Sequence, residues 1–427
     1  MKKYTEMSPV ELKEELETLR STYKGFEEAG FEFNMARGKP SPAQLDLSED
    51  IINNLPWDKG YLTESGDDVR NYGLIDGIPE AKKLMAEMLE CDPLQVVVFG
   101  NASLNIMYDV VDWAFVFGID GEKPWGRQES VKFLCPVPGY DRHFSITEGF
   151  GIEMINIPMT GSGPDMDMVE KYVNNDPTVK GIWCVPKYSN PQGISYSDET
   201  VRRFAALTPA AKDFRIFWDN AYCVHHLYDD ESRQDRILNI LAECEKAGHP
   251  DMVYQFASTS KITFAGSGIS CMSSSVKNLD EIRTHLSIQT IGYDKINQWR
   301  HVKFLKNRAG IEEHMKKHAD ILRPKFEVVM KKLDEELIPL GLGSYRRPNG
   351  GYFVSYEAPA GTAKDIVGKA KAAGVVMTGA GAPFPYKKDP DDSVIRIAPS
   401  YPEVDELEKA MDVFVCCVKL AYIEKHI

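Results

Sequence analysis

Apolar and polar positions follow two periods along the chain, and these periods divide it into predicted helices and strands. Near the start, Ser8-Pro9-Val10-Glu11 combines a hydroxyl that can cap a helix, a proline suited to the first helical position and a glutamate three residues after the cap. Apolar residues at helical spacing follow to about Phe26. The pattern predicts an opening helix. In the next segment, FEFNMARGKPSPAQLDL, Gly38 and its neighbouring prolines favour an extended crossing segment rather than a compact element.

From there to about residue 275, short apolar runs alternate with helical patterns. This alternation predicts an α/β fold with a mostly parallel sheet and helices on both faces. The predicted strands are short and rich in β-branched, aromatic and cysteine residues, which disfavours helices. The seven runs are Gln95–Phe99, Val131–Pro136, Ile152–Ile157, Gly181–Pro186, Arg215–Trp218, Met252–Ala257 and Ile269–Ser274.

The last third of the chain changes character. A highly charged stretch from about Asp280 to Glu336 has helical periodicity and predicts a crossover into a second, smaller α/β domain. That domain should contain the strand GGYFVSY, the loop TGAGAPFPY, the strand SVIRIAPS and a closing helix from about Glu403. We therefore expect residues 56–300 to form a large domain, and residues 1–55 and 301–427 to contribute to the small one.

Composition narrows the class of protein. A chain of 427 residues is too long for one hydrophobic core of usual size, which agrees with two domains. Its apolar content of 43% and charged content of 27% are ordinary for a globular protein. The formal charge of −14 disfavours nucleic acid and anionic membranes as partners, although a local cluster of cations could still attract an anionic metabolite.

Cysteines and the first residues indicate the compartment. The eight cysteines are scattered without C-x-x-C spacing, so neither disulfides nor a structural zinc or other metal site is expected. The first twenty residues are charged throughout, and no stretch approaches the roughly 18 apolar residues that a membrane-spanning helix needs. We expect a cytoplasmic protein.

Polar segments follow four of the predicted strands. In an open α/β sheet, ligands bind beyond the carboxyl ends of the strands, so these segments are candidate site residues. They are Gly100-Asn101-Ala102-Ser103, Asn190-Pro191-Gln192-Gly193, Asp219-Asn220-Ala221-Tyr222 and Ser258-Thr259-Ser260-Lys261.

Two of these segments carry residue types that suit an aldehyde cofactor. Lys261 could form an imine while Ser258 and Ser260 hold a phosphate, although a lone lysine in a serine-rich turn is usually an exposed surface residue. Asp219 could keep a pyridine nitrogen protonated, and it could equally cap the next element. Tyr222 could donate to a phenolic oxygen, or simply pack as an aromatic side chain.

Segments rich in small residues favour a single phosphate site at a helix start over a dinucleotide site. The segment FGNASLNIMYDVVDW places small residues before a predicted helix, where free backbone N–H groups suit a phosphate, although an ordinary turn would look the same. Gly266-Ser267-Gly268 and Gly379-Ala380-Gly381 lack the G-x-G-x-x-G spacing, so a dinucleotide site has little support.

Seven segments in order give a resemblance. They are YGLIDG at 72–77, G-N-A-S at 100–103, P-G-Y-D-R-H at 138–143, N-P-Q-G at 190–193, D-N-A-Y at 219–222, S-T-S-K at 258–261 and R-I-A-P-S from Arg396. From about Gly38 to Arg396 the chain resembles the fold type I enzymes that use pyridoxal 5′-phosphate (PLP), and among them the class I aminotransferases. The resemblance implies the three-layer PLP-transferase fold, with PLP bound in the large domain.

The resemblance also implies roles for individual residues. Lys261 would be the Schiff-base lysine and proton carrier, with Asp219 on the pyridinium nitrogen. Tyr72 would reach the phosphate from the other subunit, which implies a homodimer with shared active sites; Lys261, Asp219 and Tyr72 would be the catalytic residues. Asn190 and Tyr222 would bind the phenolic oxygen, Tyr140 would stack on the ring, His143 would support Asp219, and Ser103, Leu104, Ser258 and Ser260 would bind the phosphate.

On the substrate side, the resemblance implies that Arg396 binds the α-carboxylate, with Gly38, Asn190 and Arg37 nearby. The segments N-x-A-R-G-K-P, C-P-V-P-G-Y-D-R-H and S-T-S-K-I-T-F-A-G are similar to a divergent bacterial branch of aspartate aminotransferases, so aspartate and 2-oxoglutarate are the expected substrates. A distal carboxylate needs a second cation. The candidates are Arg37, Lys187, Lys295 and Arg300.

One departure from the family concerns the phosphate. The family usually carries an arginine shortly after S-x-S-K, and KITFAGSGIS has none. Backbone N–H groups at Gly266 and Gly268, or an arginine from elsewhere such as Arg37 or Arg300, would have to replace it.

Other functions remain open at this point. An alanine or aromatic aminotransferase, or a PLP lyase or synthase of the same fold, would share nearly every segment. A transcriptional regulator with an aminotransferase-like sensor domain is disfavoured, because the segment before Gly38 is short and not basic.

Overall fold

A computed structural model of the chain describes residues 2–53 and 60–427. Its first long helix confirms the predicted capping motif. The Ser8 hydroxyl accepts from the Glu11 amide at 3.3 Å, and the Glu11 carboxylate accepts from the Ser8 amide at 2.6 Å. Pro9 takes the first helical position, and the helix runs to Glu28. The reciprocal hydrogen bonds satisfy donors that the helix cannot satisfy itself.

The strands lie in chain order as follows: β1 (Phe33–Met35), β2 (Val96–Phe99), β3 (Lys132–Val137), β4 (Glu153–Thr160), β5 (Gly163–Pro164), β6 (Val179–Cys184), β7 (Arg215–Asp219), β8 (Val253–Ser258), β9 (Ser270–Ser273), β10 (Ser344–Tyr345), β11 (Val354–Glu357), β12 (Val375–Met377) and β13 (Val394–Ile397).

The α-helices are α1 (Pro9–Glu28), α2 (Pro42–Asp46), α3 (Asp50–Asn53), α4 (Pro79–Leu89), α5 (Ser103–Val116), α6 (Asp141–Gly149), α7 (Met166–Val173), α8 (Asp198–Ala205), α9 (Ile240–Lys246), α10 (Val276–Gln289), α11 (Lys295–Leu305), α12 (Arg308–Glu336), α13 (Ala363–Ala372) and α14 (Val404–His426).

The large sheet confirms the predicted fold class. Its strand order is β2-β9-β8-β7-β6-β3-β4-β5, and the central pairs from β8 to β4 are parallel. All seven predicted strands are present, and the two-residue strand β5 adds an antiparallel edge. Strand β9 runs antiparallel to both of its neighbours.

Side chains from successive residues of the sheet enter two different cores, which gives the three layers. On β3, Phe133 and Cys135 pack in a cluster with residues of α5 and α6, whereas Leu134 packs in a cluster with residues of α7 and α8. Because side chains alternate across a strand, both faces of the sheet are covered by helices. This burial on both faces explains the continuous apolar runs in the sequence.

The crossing segment after α1 is more ordered than expected. Its Phe33–Met35 pairs in parallel with Val375–Met377, and Pro42–Asp46 forms a short helix capped at Ser41. The prediction of an extended segment agrees with β1 and is wrong for Pro42–Asp46, where the Gln44 side chain accepts from the Ser41 amide at 3.1 Å and helps to start a helix. The partner of β1 lies more than three hundred residues away, so no local pattern indicates that pairing.

The smaller α/β unit joins the two ends of the chain. Strands β10, β11 and β13 form an antiparallel sheet, and helices α1, α12 and α14 pack in one core with it. Leu12, Leu16 and Leu19 of α1 are buried there. The domain bounds at residues 55 and 300 remain a prediction, and the first of them falls outside the described residues.

The state of the cysteines and the apolar character of the helices can be read from the structure. The eight cysteines are free thiols. Among the described residues, no helix combines the length and the apolar character required to cross a membrane.

Candidate active site

The candidate site lies where parallel strands end. Asp219 is the last residue of β7 and Ser258 the last of β8, and these strands pair in parallel. Asn190 lies in the loop that follows β6, the other neighbour of β7. The sheet therefore brings together residues that the sequence separates, as expected for the carboxyl edge of an α/β sheet.

Asp219 is held on one side only. Its Oδ2 lies 3.0 Å from Nε2 of His143, a residue of α6 whose ring stacks on Trp183 with centroids 4.5 Å apart and an interplanar angle of 11°. The carboxylate is buried, and its Oδ1 has no hydrogen-bond partner among the described residues. A buried carboxylate oxygen without a donor is unfavourable, so this atom suits a donor on a ligand.

The amine of Lys261 lies among aromatic rings. Its Nζ is 5.1 Å from the ring centroid of Tyr222 and 5.9 Å from that of Tyr352. Burial lowers the pKa of the Lys261 amine, and the Asp219 carboxylate acts in the opposite direction. Since the neutral amine is the nucleophilic form, this environment favours attack on a carbonyl carbon.

Two tyrosines stay protonated in the site. Burial raises the pKa of Tyr222 well above its usual value, and the charges of Tyr140 and Asp219 act in the same direction. Burial raises the pKa of Tyr140 to about 12, with Asp219 adding to the effect. Tyr140 caps α6, and its ring meets His143 edge-on at 4.9 Å. Both hydroxyls are therefore available as hydrogen-bond donors.

Arg396 projects from β13 of the small sheet into the same region. Its Nη1 donates to Asp141 at 2.8 Å and to Asn190 Oδ1 at 3.1 Å. Its Nε and Nη2 lie 3.4 and 3.3 Å from the Thr378 hydroxyl. The guanidinium is buried and fixed on several sides, which suits recognition of a carboxylate.

Gly38 lies next to this arginine. The guanidinium carbon of Arg396 is 4.9 Å from the ring centroid of Phe353, and a Cβ at Gly38 would lie 2.5 Å from that ring. Only glycine fits without moving the ring. Arg37 precedes it on the chain and is exposed, and its side chain makes no hydrogen bond or ion pair within residues 2–53 and 60–427.

The predicted phosphate residues lie at two chain turns. Ser103 and Leu104 begin α5, where backbone N–H groups have no partner inside the helix. Ser258 donates to Ser260 at 3.0 Å. The amide of Gly268 donates to Asn101 Oδ1 at 2.7 Å, so it is not free for a phosphate.

Arg300, one of the two arginines that the sequence offers for the phosphate, contacts the loop that follows Lys261. Its Nη2 bonds to the Ser267 hydroxyl, in the loop that follows Lys261, and its Nε donates to Asn297 Oδ1 at 2.7 Å. Asn297 also donates to the carbonyl of Gly268 at 2.7 Å. Helix α11 therefore anchors this loop and brings a cation to it.

Other predicted residues lie elsewhere. Lys187 donates to the Cys223 carbonyl at 2.7 Å and lines a different cavity. Lys295 is buried and donates to the Gly73 carbonyl at 3.0 Å. The Tyr72 side chain is 82% exposed, and its hydroxyl has no hydrogen-bond partner in the described part of the chain.

Sequence reasoning missed several residues of the site. Asp141 stands inside the P-G-Y-D-R-H segment, but its ion pair with Arg396 joins positions 255 residues apart. Trp183 and Tyr352 read as core residues, because each lies in a predicted strand. Thr378 had no signal beyond its place in the loop TGAGAPFPY.

These residues fit PLP. The free Oδ1 of buried Asp219 can accept from a pyridinium N–H, and the Lys261 amine can meet an aldehyde. Serine hydroxyls, the start of α5 and Arg300 supply donors for a phosphate. The mostly parallel three-layer sheet and this constellation are those of the fold type I PLP-dependent aminotransferases.

Comparisons with known proteins identify the family. The family model described as aspartate amino-transferase matches residues 7–427. A relative from Corynebacterium glutamicum, named aspartate aminotransferase, is 42% identical over 100% of both chains. A crystal structure of an aspartate transaminase from Corynebacterium glutamicum superposes with a TM-score of 0.95 at 41% identity, covering 99% of each chain. The chain belongs to the aspartate aminotransferase family and is an aminotransferase.

A more distant structure shares the fold alone. The α-aminoadipate aminotransferase of Thermus thermophilus, complexed with N-(5′-phosphopyridoxyl)-L-leucine, superposes with a TM-score of 0.74 at 18% identity, covering 92% of this chain and 93% of that one.

Proposed function

We propose that the protein transfers the amino group of aspartate to 2-oxoglutarate, giving oxaloacetate and glutamate, by a ping-pong mechanism with PLP bound at Lys261. The proposal is supported by the family and by a full-length relative named aspartate aminotransferase. The observation that carries it is the buried Asp219 carboxylate with one partnerless oxygen, beside a lysine whose pKa burial lowers.

When bound, PLP supplies an aldehyde carbon that accepts the amino group and a ring that withdraws electrons from the substrate Cα. Asp219 would hold the proton on the ring nitrogen through Oδ1, while His143 fixes the carboxylate through Oδ2. Tyr222 and Asn190 would donate to the phenolic oxygen, and Tyr140 would cover the ring. The phosphate would be held by Ser103, Leu104, Ser258 and Ser260, with Arg300 supplying the charge that the loop after Lys261 lacks.

Lys261 moves the proton. With PLP bound, the Lys261 amine would take the proton from the substrate Cα and return it during the transfer of the amino group. Burial supports this role, because it lowers the pKa of the amine and keeps it in the form that accepts a proton. The same residue serves both half-reactions, which is the basis of the ping-pong order.

Arg396 binds the α-carboxylate of both substrates. For the distal carboxylate we propose Arg37. Lys187 lines a different cavity, and Lys295 and Arg300 bond to other groups. The Arg37 side chain, by contrast, makes no hydrogen bond or ion pair with any described residue. The segment of Arg37 lies beside Arg396, since the Thr378 hydroxyl that contacts Arg396 also donates to the Ala36 carbonyl.

The proposed working form is a homodimer in the cytoplasm. Its active sites would be shared, with Tyr72 reaching the phosphate of the partner's cofactor. The 82% exposure of Tyr72 supports this role, because a large aromatic side chain so exposed in one chain is available to another.

An absorbance titration tests the proposal. Purified holoenzyme should be yellow, lose that absorbance with aspartate and regain it with 2-oxoglutarate, and borohydride should fix a pyridoxyl group on Lys261. Lys261→Ala is the matched control and should give neither result. Oxo-acid product without the colour cycle would identify a lyase, and faster cycling with alanine or phenylalanine would identify a different aminotransferase.

A further inference from the structure

A second cavity, of about 560 Å³, lies behind the strand that carries Asp219. It is lined by Trp218 and Asn220, the two neighbours of Asp219, together with the end of α4 and the first turns of α12. Because side chains alternate along an extended chain, the neighbours of Asp219 face away from the cofactor site. The cavity has the size of a small-molecule site and is distinct from the one described above.

Lys187 places a buried ammonium group in this cavity. The residue is 8% exposed, and its Nζ donates only to the carbonyl oxygen of Cys223. No carboxylate of the described residues forms an ion pair with it. Burial lowers the pKa of Lys187 although Glu90 and Asp235 act in the opposite direction. A buried ammonium without a counter-ion is unfavourable, so an anionic ligand would stabilise it.

Several other charges of the cavity are paired, although Asp229, Asp235 and Lys316 line it without an ion pair among the described residues. Arg308 donates to Glu90 and Glu312, each at 2.7 Å. Arg236 pairs with Glu231 at 3.0 Å. Among the basic side chains that line the buried part of the cavity, Lys187 is thus the one whose charge is left for a ligand.

His226 lies in the same cavity and is influenced by three of its cations. Its Nδ1 lies 2.6 Å from the Tyr188 hydroxyl, and burial together with the charges of Lys187, Arg308 and Arg236 lowers its pKa to about 3. The three cations therefore act on the pKa of His226 in the same direction as burial.

Asn220 supplies the complementary group. The residue is 8% exposed, and its Oδ1 is buried without a hydrogen-bond partner in the described part of the chain. An amide oxygen only accepts, so a ligand that satisfies it must carry an O–H or N–H donor. Met88, Val224 and Met315 give the same cavity an apolar wall for a short carbon chain.

We propose that this cavity binds a small metabolite with a carboxylate and a neighbouring donor, of the hydroxy-acid or amino-acid class. The carboxylate pairs with Lys187, and the hydroxyl or ammonium group donates to Asn220 Oδ1. Since Asn220 and Trp218 flank Asp219, an occupied cavity would stiffen the strand end that positions the cofactor ring.

L-Malate is a suitable probe, because it carries a hydroxyl beside a carboxylate but no amino or oxo group to transfer. It also has a second carboxylate, so Arg37 and Arg396 must both be replaced to keep it out of the cofactor site. Isothermal titration of Arg37→Ala/Arg396→Ala holoenzyme, in which both proposed substrate cations are gone, should still detect one malate per chain. Adding Lys187→Met should weaken that binding by about 10-fold to 100-fold, the range expected for a lost charge-assisted hydrogen bond. The exposed helix residue Lys13 gives the matched control, and Lys13→Met should change nothing.

Further variants separate binding from folding. Lys187→Arg should retain malate, and Asn220→Ala should weaken it without removing the charge, with circular dichroism as the check on folding. If Lys187→Met fails to fold, the malate affinity of Asn220→Ala is the measurement that tests the proposal. No malate binding to Arg37→Ala/Arg396→Ala holoenzyme, or equal binding with and without the Lys187 and Asn220 changes, would overturn the proposal. Neither result depends on turnover or on the substrate of the cofactor site.

Discussion

The carboxylate of Asp141 lies 2.8 Å from Nη1 of Arg396, the same nitrogen that donates to Asn190. The pair is largely buried, with side-chain exposures of 30% and 5%. An incoming α-carboxylate must therefore share Arg396 with an anion that is already there. Asp141 orients the guanidinium and at the same time opposes the charge of the substrate.

Replacing Asp141 by asparagine should separate these two effects. The amide oxygen can still accept from Nη1, but the negative charge is gone, so substrate carboxylates meet less repulsion. We expect Asp141→Asn to lower KM for both the amino acid and the oxo acid several-fold, with kcat within about threefold, since ground-state and transition-state binding change together. Steady-state kinetics at several salt concentrations measures this; a raised KM would mean that orientation outweighs repulsion.

The carboxylate of Asp219 should matter far more than its histidine partner. Asp219→Ala removes the charge that holds the ring proton, and we expect kcat to fall by roughly 10²-fold to 10³-fold, the scale seen when one preorganised electrostatic group is lost. Looser retention of PLP, followed by absorbance after dialysis, should accompany it. Turnover close to that of the unmodified enzyme would contradict the role given to Asp219.

His143→Gln should produce a smaller loss, because glutamine can still donate to Asp219 Oδ2 while the stack on Trp183 is weakened. We expect kcat to fall by less than about 10-fold, since a neutral donor is kept where the histidine stood. The diagnostic measurement is the pH dependence of the cofactor absorbance, which should shift if His143 positions the carboxylate and stay fixed if it only fills space.

Gly38→Ala should disturb substrate binding through Phe353. The new Cβ would lie 2.5 Å from the ring, so the ring and the Arg396 guanidinium packed near it must move. We expect KM to rise by about 10-fold, in line with about 1.4 kcal/mol of lost binding. Gly25→Ala in α1 is the matched control, because nothing lies within 4 Å of its added Cβ. It should leave KM unchanged and stabilise the helix by about 0.5–1 kcal/mol.

Acid stability should depend on His318. This buried residue lies 3.0 Å from the Ile262 carbonyl, one residue after Lys261, and burial together with His314 lowers its pKa to about 3. The unfolded chain binds this proton near pH 6.5 and the folded chain only near pH 3. The free energy of unfolding should therefore fall as pH drops through that window, by up to about 1.4 kcal/mol per pH unit.

Denaturant unfolding between pH 4 and 7 measures that slope. His318→Gln removes the titrating group. The slope of the free energy of unfolding against pH should therefore decrease by the contribution of about one proton. The exposed His426 at the end of α14 gives the control, and His426→Gln should keep the slope of the unmodified protein. If the slope of the free energy of unfolding against pH is unchanged in His318→Gln, groups other than His318 cause the acid sensitivity.

Local patterns predicted the large sheet and part of the site. The apolar runs marked its strands, and the polar residues directly after them, such as Asp219 and Lys261, meet at one edge because parallel strands end together. The Ser8 cap was readable for the same reason, since its partners lie within three residues.

Pairings between distant segments could not be predicted in this way. The ion pair of Asp141 with Arg396, the bond from Arg300 to Ser267 and the pairing of β1 with β12 depend on how separate elements pack. The sequence also gave no sign that the Gly268 amide was engaged by Asn101, which removed one of two candidate phosphate donors.

The pairing of β1 with β12 has a consequence for biosynthesis. Helix α1 and strand β1 leave the ribosome long before their partners α14 and β12, which lie more than three hundred residues further along the chain. Until then Leu12, Leu16 and Leu19 have no core to enter, and the nascent chain carries an apolar helix face in the open. The small unit can therefore be completed only after α14 has been made, and a chain truncated before residue 375 would lack both β12 and α14, the partners of its first strand and helix.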